Sequence, residues 1–179
     1  RRMSSTLYVD KIVEKTSAAG VHIPGHVIQV VSVTKTDNFT FSAQSWTDVT
    51  GLLASITPTA TSSKILARVN LHISGSNNYY ASGRIARDGS AITANSGGTN
   101  GVVGMGAANN TENYAQYYME AMVMEHLDSP ASTTSKTYQV QLYSANSSNN
   151  ILHVNRPLNV DNNTRNLAVS TITLMEIAQ

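Results

Sequence analysis

The side chains able to do chemistry in this chain are few, and their spacing restricts what they could do. With no cysteine among 179 residues, thiolate catalysis, a Cys-based zinc site and a disulfide scaffold are excluded. The eleven carboxylates are dispersed, and Asp37, Asp48, Asp88, Asp128 and Asp161 stand beside turn residues. Glycoside hydrolysis needs two carboxyl groups facing one bond, and distant strands could supply them. No local cluster suggests such a pair, so the chain is read as non-enzymatic. A polysaccharide-degrading activity stays open as an alternative. Of the five histidines, His22 and His26 are spaced for a metal on a helix, but Pro24-Gly25 between them precludes that helix. In a three-fold assembly either could still meet an ion on the axis. Asp161-Asn162-Asn163 lacks the remaining spacing of a calcium loop. Gly97, Gly98, Gly101, Gly104 and Gly106 precede no helix that could receive a phosphate. No metal and no cofactor are expected.

What remains is recognition by neutral polar groups. Tyrosine accompanies asparagine in two stretches, Asn77, Asn78 and Tyr79, then Asn109, Asn110, Asn113 and Tyr114. Aromatic faces stack on sugar rings, and amides match sugar hydroxyls with directional hydrogen bonds. These seven residues are the candidate binding set. Tyr80, Tyr117 and Tyr118 are assigned to the interior or to an interface between chains.

The elements that must position these residues are strands. The chain holds 21 Ser, 19 Thr and 17 Asn, about a third of its length, with 41% hydrophobic residues and a net charge of +1. These polar types are poor in helix interiors and suited to turns and outer strand faces. The balanced charge argues against nucleic-acid wrapping, and no apolar run is long enough to span a bilayer. Low charge also implies recognition with weak salt dependence. From Lys64 to Ser74 strict alternation puts Ile65, Ala67, Val69, Leu71 and Ile73 on one face, and only a strand does that. Further strands are expected at 27–33, 39–42, 46–49, 52–57, 79–87, 91–94, 102–105, 114–127, 138–143, 151–154 and 167–177. Asp88-Gly89 is a hairpin turn signal. The 27–33 strand is mostly apolar and is expected to be covered on both faces. About ten short strands without an amphipathic helix indicate an all-β antiparallel sandwich, jelly-roll-like. A helix at 6–15 is the one alternative.

Residues 1–24, with six charged side chains and few apolar ones, read as an N-terminal arm or stalk, and 25–179 as the sandwich. Segments 114–127 and 167–177 are apolar on both faces, more than one two-layer sandwich covers. A homotrimer would cover the second face, with Met119, Met122 and Met124 packed in its interface.

Several stretches, in order, carry a resemblance. They are Tyr8-Val9-Asp10-Lys11-Ile12, Pro24 through Val31, Phe41-Ser42, Trp46 through Leu52, and Ser55-Ile56-Thr57-Pro58. Ser62 through Leu66, Ile85-Ala86-Arg87-Asp88-Gly89, Leu127 through Ala131, Thr137-Tyr138 and Ile172 through Ile177 complete them. Together they resemble the distal domains of bacteriophage tail fibres and related virion proteins, of the type found in marine and cyanobacterial phages. The resemblance covers nearly the whole chain. It implies a trimeric jelly-roll head akin to tumour-necrosis-factor-type heads, located in the virion tail or fibre. Its implied role is host-cell attachment through a bacterial surface receptor, with glycan the class the tyrosine–asparagine loops suit. The arm would meet other tail or fibre proteins. A structural or assembly role without receptor affinity is the alternative. The resemblance carries over no defined set of binding residues.

Overall fold

The structure is a computed structural model, and it describes residues 9–11, 13, 23–76, 78–92, 104–110, 115–145, 151–160 and 167–179. Most of the 1–24 arm lies outside the described residues, including all of the alternative helix at 6–15 except residues 9–11 and 13, and so do His22, Asn77, Asn113 and Tyr114. The strands are β1 (Val27–Lys35), β2 (Phe39–Phe41), β3 (Thr47–Ile56), β4 (Lys64–Gly75), β5 (Tyr79–Arg87), β6 (Ser90–Ala91), β7 (Gly106–Asn110), β8 (Glu120–Asp128), β9 (Lys136–Ser144), β10 (Leu152–Val154) and β11 (Ser170–Ile177). One 3-10 turn, Ala115–Tyr117, precedes β8. No helix among the described residues is long and apolar enough to cross a membrane.

Two antiparallel sheets result. In the first, β1, β11, β4 and β8 lie side by side, with the short pair β10 and β2 beside the end of β4. In the second the order is β3, β9, β5, β7, and β6 folds back on the end of β5. The pairing has a simple logic. β1 zips to β11, β3 to β9, β4 to β8 and β5 to β7. The first half of the chain is thus paired with the second half in reverse order, as one long hairpin, and the hairpin is rolled so that pairs alternate between sheets. That is the jelly roll expected from the sequence.

Between the sheets, period-two alternation builds the core. Ile65, Ala67, Val69, Leu71 and Ile73 of β4 meet Ile172 and Leu174 of β11 and Met122 and Met124 of β8. Opposite them stand Leu52, Ala54 and Ile56 of β3, Ala81 and Ile85 of β5, and Tyr138, Val140 and Leu142 of β9.

Several expectations need correction. β1 is an edge strand with one face open, for Val27 and Val30 are about half exposed. The expected strands at 46–49 and 52–57 are one strand, β3, whose register against β9 shifts between Asp48 and Leu53. Gly51, at φ +80°, absorbs that bulge. The 114–127 strand begins only at Glu120, after the 3-10 turn, and a strand lies at Gly106–Asn110, past the expected 102–105, of which residues 102 and 103 lie outside the described residues. Met122 and Met124 point into the core and not to an interface. They fill the space that Gly83 and Gly106 leave, where an added Cβ would stand within about 3 Å of their side chains.

Candidate functional site

The two tyrosine–asparagine stretches do meet. β5 starts where β7 ends, so Tyr79 lies opposite Asn110 and Tyr80 opposite Asn109. Asn78, in a left-handed conformation (φ 62°), and Asn109 are exposed. Tyr79 is not available to a receptor, because its side chain is 1% exposed in the core. Burial, reinforced by the Glu120 carboxylate, pushes its phenol pKa up. Alternation then turns Tyr80 outward, at 40% exposed, and Tyr118 is 62% exposed. Tyr79 is therefore the buried member of the pair and Tyr80 the exposed one, because successive side chains of a strand take opposite faces.

The outer face of the second sheet carries a constellation that no sequence motif announces. In β9, Tyr138, Val140 and Leu142 point inward, which sends Gln139, Gln141 and Tyr143 outward. Arg84 stands opposite Gln141, which stands opposite Asp48 of β3. Arg84 Nε donates to Gln141 Oε1 at 2.7 Å. Gln141 Nε2 donates to Asp48 Oδ1 at 2.7 Å, and Gln139 Nε2 donates to the same oxygen at 2.8 Å. Trp46, just before β3, lies under the guanidinium, 4.1 Å from ring centroid to Arg84 Cζ, and 5.6 Å from the Tyr143 ring at 54°. The cation–π contact and the planar fork hold each other in place. Burial pulls the Arg84 pKa down while Asp48 pushes it back up, and an arginine stays a cation throughout.

This face runs from Tyr80 and Asn109, past Ser82 and Tyr143, to Arg84, Gln141, Asp48 and Trp46. From Tyr80 to Arg84 along β5 it covers about 13 Å. The outward phase of Gln139, Gln141 and Tyr143 follows from their alternation with Tyr138, Val140 and Leu142 in the sequence alone. Which strands lie beside β9 is a tertiary fact, and nothing local announced that Trp46 and Arg84 would stack.

The other polar centres serve the fold. Arg87 Nη1 and Tyr138 OH both donate to Asp128 Oδ2, the latter at 2.7 Å. Glu176, fully buried, accepts from Gln29 Nε2 at 2.5 Å and from Thr59 N and Oγ1 at 2.7 Å each. Burial would raise its pKa, but these donors hold it below the usual carboxylate range. Lys35 pairs with Asp37, Arg68 with Glu125 and Lys136 with Asp88. Among the described residues no three His, Asp or Glu side chains are grouped to hold a metal.

No protein-family model matches this chain, and no curated protein does either. Among solved structures, that of infectious bursal disease virus Gx strain aligns with 98% of this chain at 13% identity and a TM-score of 0.38. This chain spans about half of it, 47% of that chain. The jelly roll rests on the strand order itself and not on that likeness.

Proposed function

We propose that this chain is the head of a phage tail fibre, a virion attachment domain that binds a bacterial surface glycan on the outer face of its second sheet. One observation supports this above the others. An arginine stacked on the chain's single tryptophan is locked by a hydrogen-bonded glutamine and aspartate on an open strand surface. Sheet faces are rigid platforms, and a sugar needs aromatic faces beside fixed polar groups. Tyr80 and Asn109 extend the platform, and Asn78 stands at its rim. The reading is non-catalytic. Asp128, Glu176, Asp37 and Asp88 are tied into structural pairs, whereas a glycosidase acid needs a raised pKa and a free path to substrate. The test is binding of the purified chain to host cells, with competition by purified surface glycan. Trp46→Ala is expected to weaken binding at least tenfold. A folded chain that binds no cells favours the assembly role instead.

The head is proposed to act as a homotrimer. On the outer face of the first sheet the register aligns Val30 with Met175, Met175 with Leu66, and Leu66 with Leu127. That apolar row crosses four strands, and Val30 and Leu127 are 57% and 45% exposed. In the next row Arg68 and Glu125 already pair with each other. A second copy is a suitable cover for such a row, being apolar and uncharged itself. Light scattering is expected to show three chains, and Leu66→Glu with Leu127→Glu to leave monomers.

A further inference from the structure

Arg84 spends only part of its donor set. Its Nε goes to Gln141, and no described residue takes a hydrogen bond from its two Nη groups. The guanidinium plane is fixed on one side by the Trp46 ring, and the Nε bond sets its rotation. Gln141 is itself 7% exposed with both ends of its amide used, so it cannot turn away. The outcome is a terminal fork of parallel N–H donors, held in one orientation on an open face. That geometry is a poor investment for a lone sugar hydroxyl, which any amide could serve. It matches a carboxylate, which takes two parallel N–H···O bonds at once.

Asp48 is the one acid in this network, and its position explains why it does not fill the fork. Its Oδ1 is taken by the amides of Gln139 and Gln141. Gln141 therefore stands between the carboxylate and the guanidinium, spacing them while linking them. Asp48 orients the glutamine, the glutamine orients the arginine, and the arginine keeps its outer edge.

We infer that the ligand of this face carries an acidic sugar, a uronic- or sialic-acid-type residue whose carboxylate is gripped in bidentate fashion by the Arg84 fork. Trp46 and Tyr143 border the sugar ring beside it, and Tyr80 and Asn109 reach the neighbouring unit. Arg84 supplies specificity for the acid, and Asp48 and Gln141 are positioning residues. This inference rests on the glycan reading above and narrows it.

The experiment uses an array of neutral oligosaccharides, their uronic- and sialic-acid-bearing counterparts, and the methyl esters of those acids. Because Trp46 is the sole tryptophan, its fluorescence reports occupancy directly, and calorimetry gives the affinities. The chain is expected to bind acidic members at least tenfold tighter than their methyl esters. Arg84→Gln should erase that difference. Arg84→Lys, which keeps the charge but not the fork, should recover only a minor part of it. Uronic and sialic arms distinguish the two sources of the carboxylate. Equal binding of acids and esters, lost in Trp46→Ala but kept in Arg84→Gln, would overturn the acidic specificity and leave the glycan platform standing. No binding anywhere on the array by a folded chain would overturn both. Thermal unfolding of each variant, within a few degrees of the parent, separates loss of contact from loss of fold.

Discussion

Asn155 shows how much one residue can hold. It is fully buried and left-handed, at φ 67°. Its Nδ2 donates to the carbonyls of Lys35 and Asp37, at 2.9 Å each, and its Oδ1 accepts from Ser170 Oγ at 2.6 Å. Its backbone N–H donates to His72 O, and its carbonyl accepts from Ala168 N. The ends of β1, β4, β10 and β11 are thereby tied at one point. Asn155→Ala strands a buried carbonyl, a part-buried one and a buried hydroxyl, and places alanine in a strained conformation. A loss of about 2–4 kcal/mol is expected in urea unfolding. In a sequence with 17 asparagines, nothing marked this one, because its importance lies in what the chain brings around it. Two residues earlier, His153 is buried with Nδ1 against Thr40 Oγ1 at 2.8 Å, and its Nε2 has no described partner. Burial, aided by Arg156, pulls its pKa down to about 4 from an ordinary 6.5. The sign follows from linkage. Below pH 6.5 the unfolded chain takes up a proton that the folded one refuses, so stability falls as pH drops from 6.5 towards 4. The full loss is about 3 kcal/mol. Urea midpoints between pH 7 and 4.5, a range above most carboxylate titrations, should show the decline, and His153→Gln should flatten it.

At the scale of elements, the strands with strict alternation were legible and the irregular ones were not. β4 is legible because five alternating apolar positions, Ile65 to Ile73, leave no other phase. β3, expected as two strands at 46–49 and 52–57, is continuous because Gly51, at φ +80°, carries a bulge between them. The expected strand at 79–87 coincides with β5, but its small residues Ala81, Ser82, Gly83 and Ala86 give no alternation from which to tell that Tyr79 faces inward and Tyr80 outward. The site suffered the same limit: Gln141 and Tyr143 could be placed on an outer face, but not beside Arg84 and Asp48. Two glycines separate the physical causes that make such positions special. Gly89 follows Asp88 in a turn with both φ positive, 84° and 50°, the I′ pattern of a two-residue hairpin. No atom lies within 4 Å of a Cβ built there, so Gly89→Ala is expected to cost only the backbone strain, about 1–2 kcal/mol. Gly75 has no positive φ, but a Cβ there would stand 2.7 Å from the Tyr79 ring. Gly75→Ala is expected to cost about 1–3 kcal/mol through crowding, and Gly75→Ala with Tyr79→Leu should recover part of it. Double-mutant denaturation curves check the coupling, which Gly89 should lack.

For the whole molecule, the rolled hairpin sets two different surfaces back to back. The apolar row of Val30, Met175, Leu66 and Leu127 lies outside the first sheet, and the Trp46–Arg84 platform lies outside the second. The core of both sheets, about 10 Å thick, separates them. A residue on one face is therefore remote from the other, and mutations on the two should act independently. This separation makes assembly and recognition testable apart. If three heads each present one platform to a cell surface, avidity multiplies a weak single-site affinity by about 10²–10⁴ with no new contact. The Leu66→Glu, Leu127→Glu monomer should then bind a single oligosaccharide, read through Trp46 fluorescence, with the affinity of the parent. Its binding to whole cells should fall by about two orders of magnitude. The opposite pattern is expected of Trp46→Ala, which should stay trimeric in light scattering and lose both the oligosaccharide and the cells. A monomer that loses the oligosaccharide as well would mean that the platform is completed by a neighbouring chain, and that the two surfaces are one.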